Sequence, residues 1–366
     1  MSITGLFLQK DPYRTDTRRL LDAVSRNFSI CTKKSEEYRN IVSKSGFNGV
    51  ISNEDDLKNL PAIPTLYFKR NNLFFEKSFV KAVSSGTSGK KSTVSLDLSS
   101  LVRGLFMVKS VFSYHGILSL RPTNYIILSF PRKHTDLGAA KTAYGATKFA
   151  PALKRKYALK MSGNEYVPDT DGVIGFLLKC AEKNTPVRFV GFPLYMYILA
   201  RELEKRDLHL ELNKHSKIIL GGGWKSAHGF APSYEEFYSL IKNTLGIDKG
   251  SIHEFFSAAE HPIAYCKCKN GHFHVPKYSR VLIRDAQTFE PLGFGKPGIL
   301  NLITPMVTSQ PLLSIVTDDI AVLHNDDCGC GIHTPYFELI GRASSSIKTC
   351  SVSAAEVLGE KHGISF

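Results

Sequence analysis

The chain has no apolar run approaching the roughly 18 to 20 residues that span a bilayer, so no transmembrane helix is expected. Its start, "MSITGLFLQKDPYRTDTRR", lacks a basic region leading into a long apolar stretch, so export is not expected either. Internal repeats and low-complexity segments are missing, which argues against a solenoid or a disordered tail. Cysteines are few and odd in number, seven, and four of them fall in two tight C-x-C pairs. That pattern suits thiols or thiolate ligands in a reducing, cytoplasmic setting better than a disulfide framework. Long basic arms and aromatic interleaving are also lacking. The net charge of +14, from 47 Lys+Arg against 33 Asp+Glu, therefore attracts polyanions, acidic proteins, nucleotides and anionic lipid surfaces without choosing among them or marking a nucleic-acid binder. Runs such as "PRKH" (131–134), "KRK" (154–156) and "KYSR" (277–280) read as solvated surface.

What is present is enough for a large core: 366 residues, 43% hydrophobic, with 23 Phe and 15 Tyr, a size that divides into two or three lobes. The first 60 residues carry helical spacing and end at the extended, proline-bearing stretch "NLPAIPTLYF", so 1–75 reads as a helical region packed on the core. In 76–262 the β-type runs "NYIILSF", "VRFVGF" and "SKIILGGG" alternate with the helical stretches "GVIGFLLKCAEKN" and "LYMYILARELEKR", which predicts an α/β region with parallel sheet and crossover helices. Residues 263–342 turn to short β-rich pieces with turn residues, and 343–366 form a short tail. The aromatic stretch "GFPLYMYILA" (191–200) reads as an ordinary core helix, or alternatively as the lining of an alkyl tunnel.

"SSGTSGKKS" (84–92) is the most distinctive stretch. Gly86 and Gly89 allow consecutive backbone N–H groups to point at one anion. Ser84, Ser85, Thr87 and Ser88 add hydroxyl donors, and Lys90 and Lys91 add countercharge. The glycines are too close together for a Walker A loop. Composition alone leaves two readings open, a phosphate grip and a flexible polar loop.

The loop resembles the phosphate signature of the adenylate-forming enzymes, and further matches follow it in order. "FFSAAE" stands where that superfamily has Tyr-Gly-x-Thr-Glu, so Glu260 resembles the carboxylate that holds Mg²⁺ on ATP. "IVTDD" resembles the element whose aspartate binds the ribose hydroxyls, best matched by Asp319, and "ELIGR" the Gly-Arg element, with Arg342. Within the superfamily the likeness is to the acyl-protein synthetases, the LuxE-like family known from bacterial luciferase operons. "SSGTSGKKS", "VGFPLYMYILARELE", "IILGGGWK" and "GHFHVPKYSRVLIRD" carry it. The resemblance implies an adenylate-forming large domain with parallel-sheet subdomains and a smaller β-rich subdomain. It also implies ATP-dependent activation of a fatty acid as acyl-adenylate, and transfer of the acyl group to a protein thiol, with a reductase or an acyl carrier protein as partner.

Only 24 residues follow Arg342, so no full C-terminal catalytic domain, and no lysine from one, is expected. Lys225 in "GGGWK", after Gly221, Gly222 and Gly223, is the candidate replacement cation, with Lys348 second; a surface lysine is the plain alternative. Cys350 resembles the acyl-accepting cysteine near the end of the family's chains, where a thiolate attacks the acyl-adenylate. The remaining thiols suit a structural zinc site: "CKCKNGHFH" and "DDCGCGIH" offer Cys268, His274, Cys328 and Cys330, with Cys266 as the substitute. The set resembles a zinc site in the phenylacetate-CoA ligase branch, where a Cys and Gly-x-His pair joins a Cys-x-Cys pair, but here His274 lies three residues after Gly271 and His272 one. Expected cofactors are therefore ATP, Mg²⁺ and Zn²⁺. Two other functions stay open: a ligase that acylates coenzyme A, a carrier protein or an amine, and a zinc-stabilised nucleic-acid module.

Overall fold

The computed structural model describes residues 2–71, 73, 75, 80–83, 93–129, 131, 143–162, 165–223 and 232–342. They fall into two compact units. One comprises 1–111, 257–265 and the chain from His272 on; the other comprises 112–256 with 266–271. Among the described residues no helix is long and apolar enough to cross a membrane.

The first unit opens with helices. Asp16 caps Thr17–Lys34 by accepting the Arg19 N–H, and Ser35 caps Glu36–Ser45 by accepting the Tyr38 N–H. Gly46, at φ 71°, closes the second of these in the left-handed conformation that glycine adopts freely. The short strand β1 (Ile63–Pro64) follows, then the hairpin strands β2 (Val80–Val83) and β3 (Thr93–Leu96), which pair antiparallel. The unit's main sheet comes from the C-terminal third: β12 (Phe273–His274), β13 (Arg280–Arg284), β14 (Pro291–Leu292), β15 (Pro297–Ile303), β16 (Ser314–His324) and β17 (Tyr336–Arg342). They run in the order β12-β17-β16-β15-β13-β14, and β1 joins β16 in parallel. This is the β-rich texture expected beyond residue 262.

The second unit holds the parallel sheet. Its strands are β4 (Thr123–Leu128), β5 (Ala152–Tyr157), β8 (Val187–Gly191), β9 (Lys217–Gly221) and β10 (Ile252–Ala258), ordered β10-β9-β8-β4-β5. A two-stranded ribbon, β6 (Leu159–Ser162) with β7 (Glu165–Pro168), branches off after β5, and β11 (His261–Cys266) lies next to β10. Every residue of β4 is buried, which is why it reads as an unbroken apolar run rather than an alternating one. The helix Pro193–Lys205 buries Met196, Leu199, Ala200 and Leu203 at helical spacing in the core beneath this sheet. Within the stretch 191–200, the residues from Pro193 on thus form a helix whose apolar face lies in the core. Ser233 caps the helix Tyr234–Leu245, and Gly246 ends it at φ 67°.

Candidate functional site

In an open parallel sheet, ligands bind beyond the carboxyl ends of the strands, near the point where the strand order reverses. Here the order reverses at β4, with β5 on one side and β8 on the other. Glycines stand at these carboxyl ends. An added Cβ at Gly191 would lie 2.4 Å from the Leu128 carbonyl oxygen, and one at Gly222 would lie 2.8 Å from the Phe192 ring. Gly222 and Gly223 also have φ of +87° and +68°, a conformation that favours glycine at both positions, and at Gly222 the space demands it too. Gly221, Gly222 and Gly223 accordingly leave β9 as a bare backbone turn. Lys225 lies outside the described residues, as does Trp224.

The loop 84–92, with Ser84, Ser85, Gly86, Thr87, Ser88, Gly89 and Lys90, also lies outside them, but its two ends are described. Val83 pairs with Thr93, so the loop joins adjacent ends of a β-hairpin. The strand leaving it is fastened by residues that sequence reasoning missed. The Gln310 side chain accepts the Ser95 N–H at 2.8 Å through Oε1 and faces the Thr93 carbonyl at 3.4 Å with Nε2. Ser309 Oγ donates to the Ser95 carbonyl at 2.5 Å. Just beyond the strand, Asp97 accepts hydrogen bonds from Ser99, Ser100 and Thr308. Burial acts to raise the Asp97 pKa, but those hydrogen bonds hold it below the ordinary carboxylate value. Arg103 completes the cluster, donating to the Met306 carbonyl and to Thr308 Oγ1, both at 2.7 Å. Asn27, from the helix Thr17–Lys34, donates to the Pro305 and Val307 carbonyls at 2.9 and 2.7 Å. The segment 304–310 is therefore a fully buried, irregular stretch whose backbone groups are satisfied by side chains from distant parts of the chain. No local motif announces it.

Asp319 and Arg342 sit directly opposite each other on β16 and β17. The Arg342 Nε–H donates to Asp319 Oδ1 at 2.9 Å; the carboxylate is nearly buried and the guanidinium mostly exposed. The ladder slips by one residue between Ile320 and Ala321, and such bulges re-aim neighbouring side chains. Two residues 23 positions apart thus become one charged pair. Glu260 is buried in the two-residue link between β10 and β11.

Cys268, His274, Cys328 and Cys330 place one ligand atom each within 4.8 Å of one another. His274 Nε2 lies 3.1 Å from the Cys328 sulfur and 3.2 Å from that of Cys330. Its Nδ1 is 2.9 Å from the Thr334 carbonyl, the outer hydrogen bond that leaves Nε2 as the ligand. A tetrahedral zinc ion with bonds of about 2.0–2.3 Å would hold such atoms about 3.5 Å apart. Small inward or outward adjustments of these side chains give that spacing, so two thiolates on one turn, a third thiolate and an oriented imidazole fit the ion. Cys266 is not part of this group; its sulfur lies instead with His115 and His253. His272, which directly follows Gly271, stacks on Tyr336 and faces Glu338 at 3.3 Å. Cys350 lies outside the described residues.

Known proteins resemble this chain along most of its length. Two curated relatives, the long-chain-fatty-acid--luciferin-component ligases of Aliivibrio fischeri and Vibrio harveyi, are 25% and 23% identical. The matches cover 92% and 90% of this chain, and 87% and 85% of theirs. An open conformation of 2-hydroxyisobutyryl-CoA ligase, solved with 2-HIB-AMP and CoA, superposes with a TM-score of 0.67 at 15% identity. It covers 91% of this chain and 77% of the ligase, so the fold is that of an adenylate-forming ligase. The family model described as "Acyl-protein synthetase, LuxE" matches residues 8–359, and the chain belongs to that family.

Proposed function

We propose that the protein uses ATP to activate a fatty or related carboxylic acid and then hands the acyl group to a protein thiol. A carboxylate is a poor electrophile at neutral pH. Its oxygen attacks the α-phosphorus of ATP, forming the acyl–AMP bond and expelling pyrophosphate. A thiolate then attacks the acyl carbon, forming a thioester and releasing AMP. The protein's task in the first step is to hold charged groups in place and offset the charge that develops.

The residues divide that task. Backbone and hydroxyl groups of Ser84 to Gly89, with Lys90, grip the phosphates; Glu260 holds Mg²⁺; Asp319 takes the ribose hydroxyls, oriented by Arg342. Gly221 to Gly223 let the backbone approach the flat adenine ring. Lys225, with Lys348 second, supplies the cation that faces the phosphate or the acyl carboxylate. Cys350 receives the acyl chain and passes it to an acceptor such as a reductase or an acyl carrier protein. Cys268, His274, Cys328 and Cys330 hold a structural zinc ion with no catalytic part. Six described cysteines carry no disulfide, in keeping with work in the reducing cytoplasm.

The observation that carries the reading is the Asp319–Arg342 pair, formed by the two motif residues that the family would place on the nucleotide. The test is to incubate the protein with ATP, Mg²⁺ and a panel of fatty acids and to follow intact mass. An acyl adduct that hydroxylamine removes and Cys350→Ser abolishes is expected. Adduct formation in the Cys350→Ser protein refutes the acyl-cysteine role, and pyrophosphate release without any adduct moves the acceptor to an external molecule.

A further inference from the structure

The amino ends of β4, β8 and β9, opposite to the glycine turns, frame a cavity of about 120 Å³. Arg121, Arg188, His215 and Lys217 line it, with Gly116 and Thr123 beside them. Lys217 is the first residue of β9 and Gly221 the last, so at ~3.3 Å per residue about 13 Å of strand separates this cavity from the nucleotide turn. It is a different site from the one described above.

Its charge is one-sided. Arg188 is only 3% exposed, and its guanidinium donates to the Ile117 carbonyl at 2.7 Å. No carboxylate lines the cavity, and among the described residues none forms an ion pair with Arg121, Arg188 or Lys217. Burial pushes the Lys217 ammonium pKa down, and the Arg188 charge pushes it the same way. His215 is likewise depressed by burial and by Arg121, Lys214 and Lys217. Lys217 Nζ lies within 3.9 Å of where a Cβ at Gly116 would stand, so the ammonium reaches the cavity's wall. Holding the buried Arg188 and the half-buried Lys217 beside Arg121 and His215 costs free energy unless an anion joins them.

A metal would be the wrong guest. His253, buried next to this cluster, has an Nε2 without a hydrogen-bond partner among the described residues, and it stands with His115 and Cys266 in ligand-like proximity. Yet Lys217 and Arg188 are among the charges acting on His253, and they would repel a divalent cation. A fatty carboxylate fits poorly as well, because the lining is polar and has little apolar wall for a chain. Two guanidinium forks and an ammonium match a doubly charged tetrahedral oxyanion.

We infer that this cavity is a second anion site that binds a phosphoryl group, either as free phosphate or pyrophosphate or as the phosphorylated end of a larger ligand. Isothermal titration at fixed ionic strength, with inorganic phosphate, pyrophosphate and adenosine 3′,5′-bisphosphate as probes, tests it on the full chain. Arg121→Ala and Lys217→Met should each weaken the affected probe by on the order of tenfold or more, and Lys217→Arg should retain binding. Loss for the inorganic anions identifies a free oxyanion as the ligand; loss confined to the bisphosphate identifies the end of a larger molecule. Arg121 is exposed at the rim, so its variant does not depend on how the core tolerates change. The inference is overturned if no probe binds saturably, or if every probe binds wild type and both charge-removing variants equally, as it would at the ATP site alone.

Discussion

Replacing Gln310 tests whether the buried segment 304–310 holds the strand that leaves the phosphate loop. The side chain is 1% exposed and accepts the Ser95 N–H at 2.8 Å. Gln310→Ala strips that buried donor of its acceptor, at about 1–3 kcal/mol. It also removes a buried methylene, worth about 0.8 kcal/mol. For a chain of 366 residues melting as one unit, the unfolding entropy is about 0.8 kcal/mol/K, so a loss of about 3 kcal/mol lowers Tm by about 4 °C. Gln310→Met separates the two contributions: it refills the space but offers the Ser95 N–H only a weak thioether acceptor, so most of the loss should persist. The assays are a thermal melt and ATP–pyrophosphate exchange. Exchange should show a rise in the KM for ATP on the order of tenfold or more, because the exit strand of loop 84–92 is no longer held in register. If Gln310→Met melts with wild type and keeps its KM, the anchoring role assigned to this network is wrong.

Two further outcomes follow from the metal-like cluster and the buried histidines. Purified protein should contain one zinc ion per chain, and Cys328→Ser should lose it together with several degrees of Tm; a metal analysis showing no zinc in wild type would remove the site. Burial depresses His253 and His261 to about 3, so the folded state binds fewer protons than the unfolded one between about pH 3 and 6.5. Stability should be full above pH 6.5 and fall by about 1.4 kcal/mol per pH unit for each histidine below it. Urea titrations at pH 7.5 and 5.5 measure this, and His261→Gln should flatten the decline; equal stability at the two pH values contradicts it.

Much of the fold was legible because it is written in local periodicity. The fully buried strands read as apolar runs, the amphipathic helices carry their caps, and the change of texture after residue 262 marks the antiparallel sheet. Charge was less legible. Lys277, which read as part of a solvated run, is 1% exposed; its ammonium donates to the Asp11 carbonyl, and burial lowers its pKa to about 8. No short-range pattern distinguishes such a lysine from a surface one.

The order of the motifs along the chain, from "SSGTSGKKS" to "ELIGR", and the alternation of strand and helix follow from the amino-acid sequence by itself, since each spans a few residues and depends on local chemistry. Which thiols gather is a different matter. Cys266 and Cys268 are two residues apart, yet Cys266 joins His115 and His253 while Cys268 joins His274, Cys328 and Cys330. Tertiary structure also brought Asn27, Ser95, Arg103 and Gln310 to one buried segment and drew Arg121, Arg188 and Lys217 around one cavity. The physical reason is the same in each case. A buried polar group must find its partner wherever packing puts one, and for these residues packing chose partners tens to hundreds of positions away.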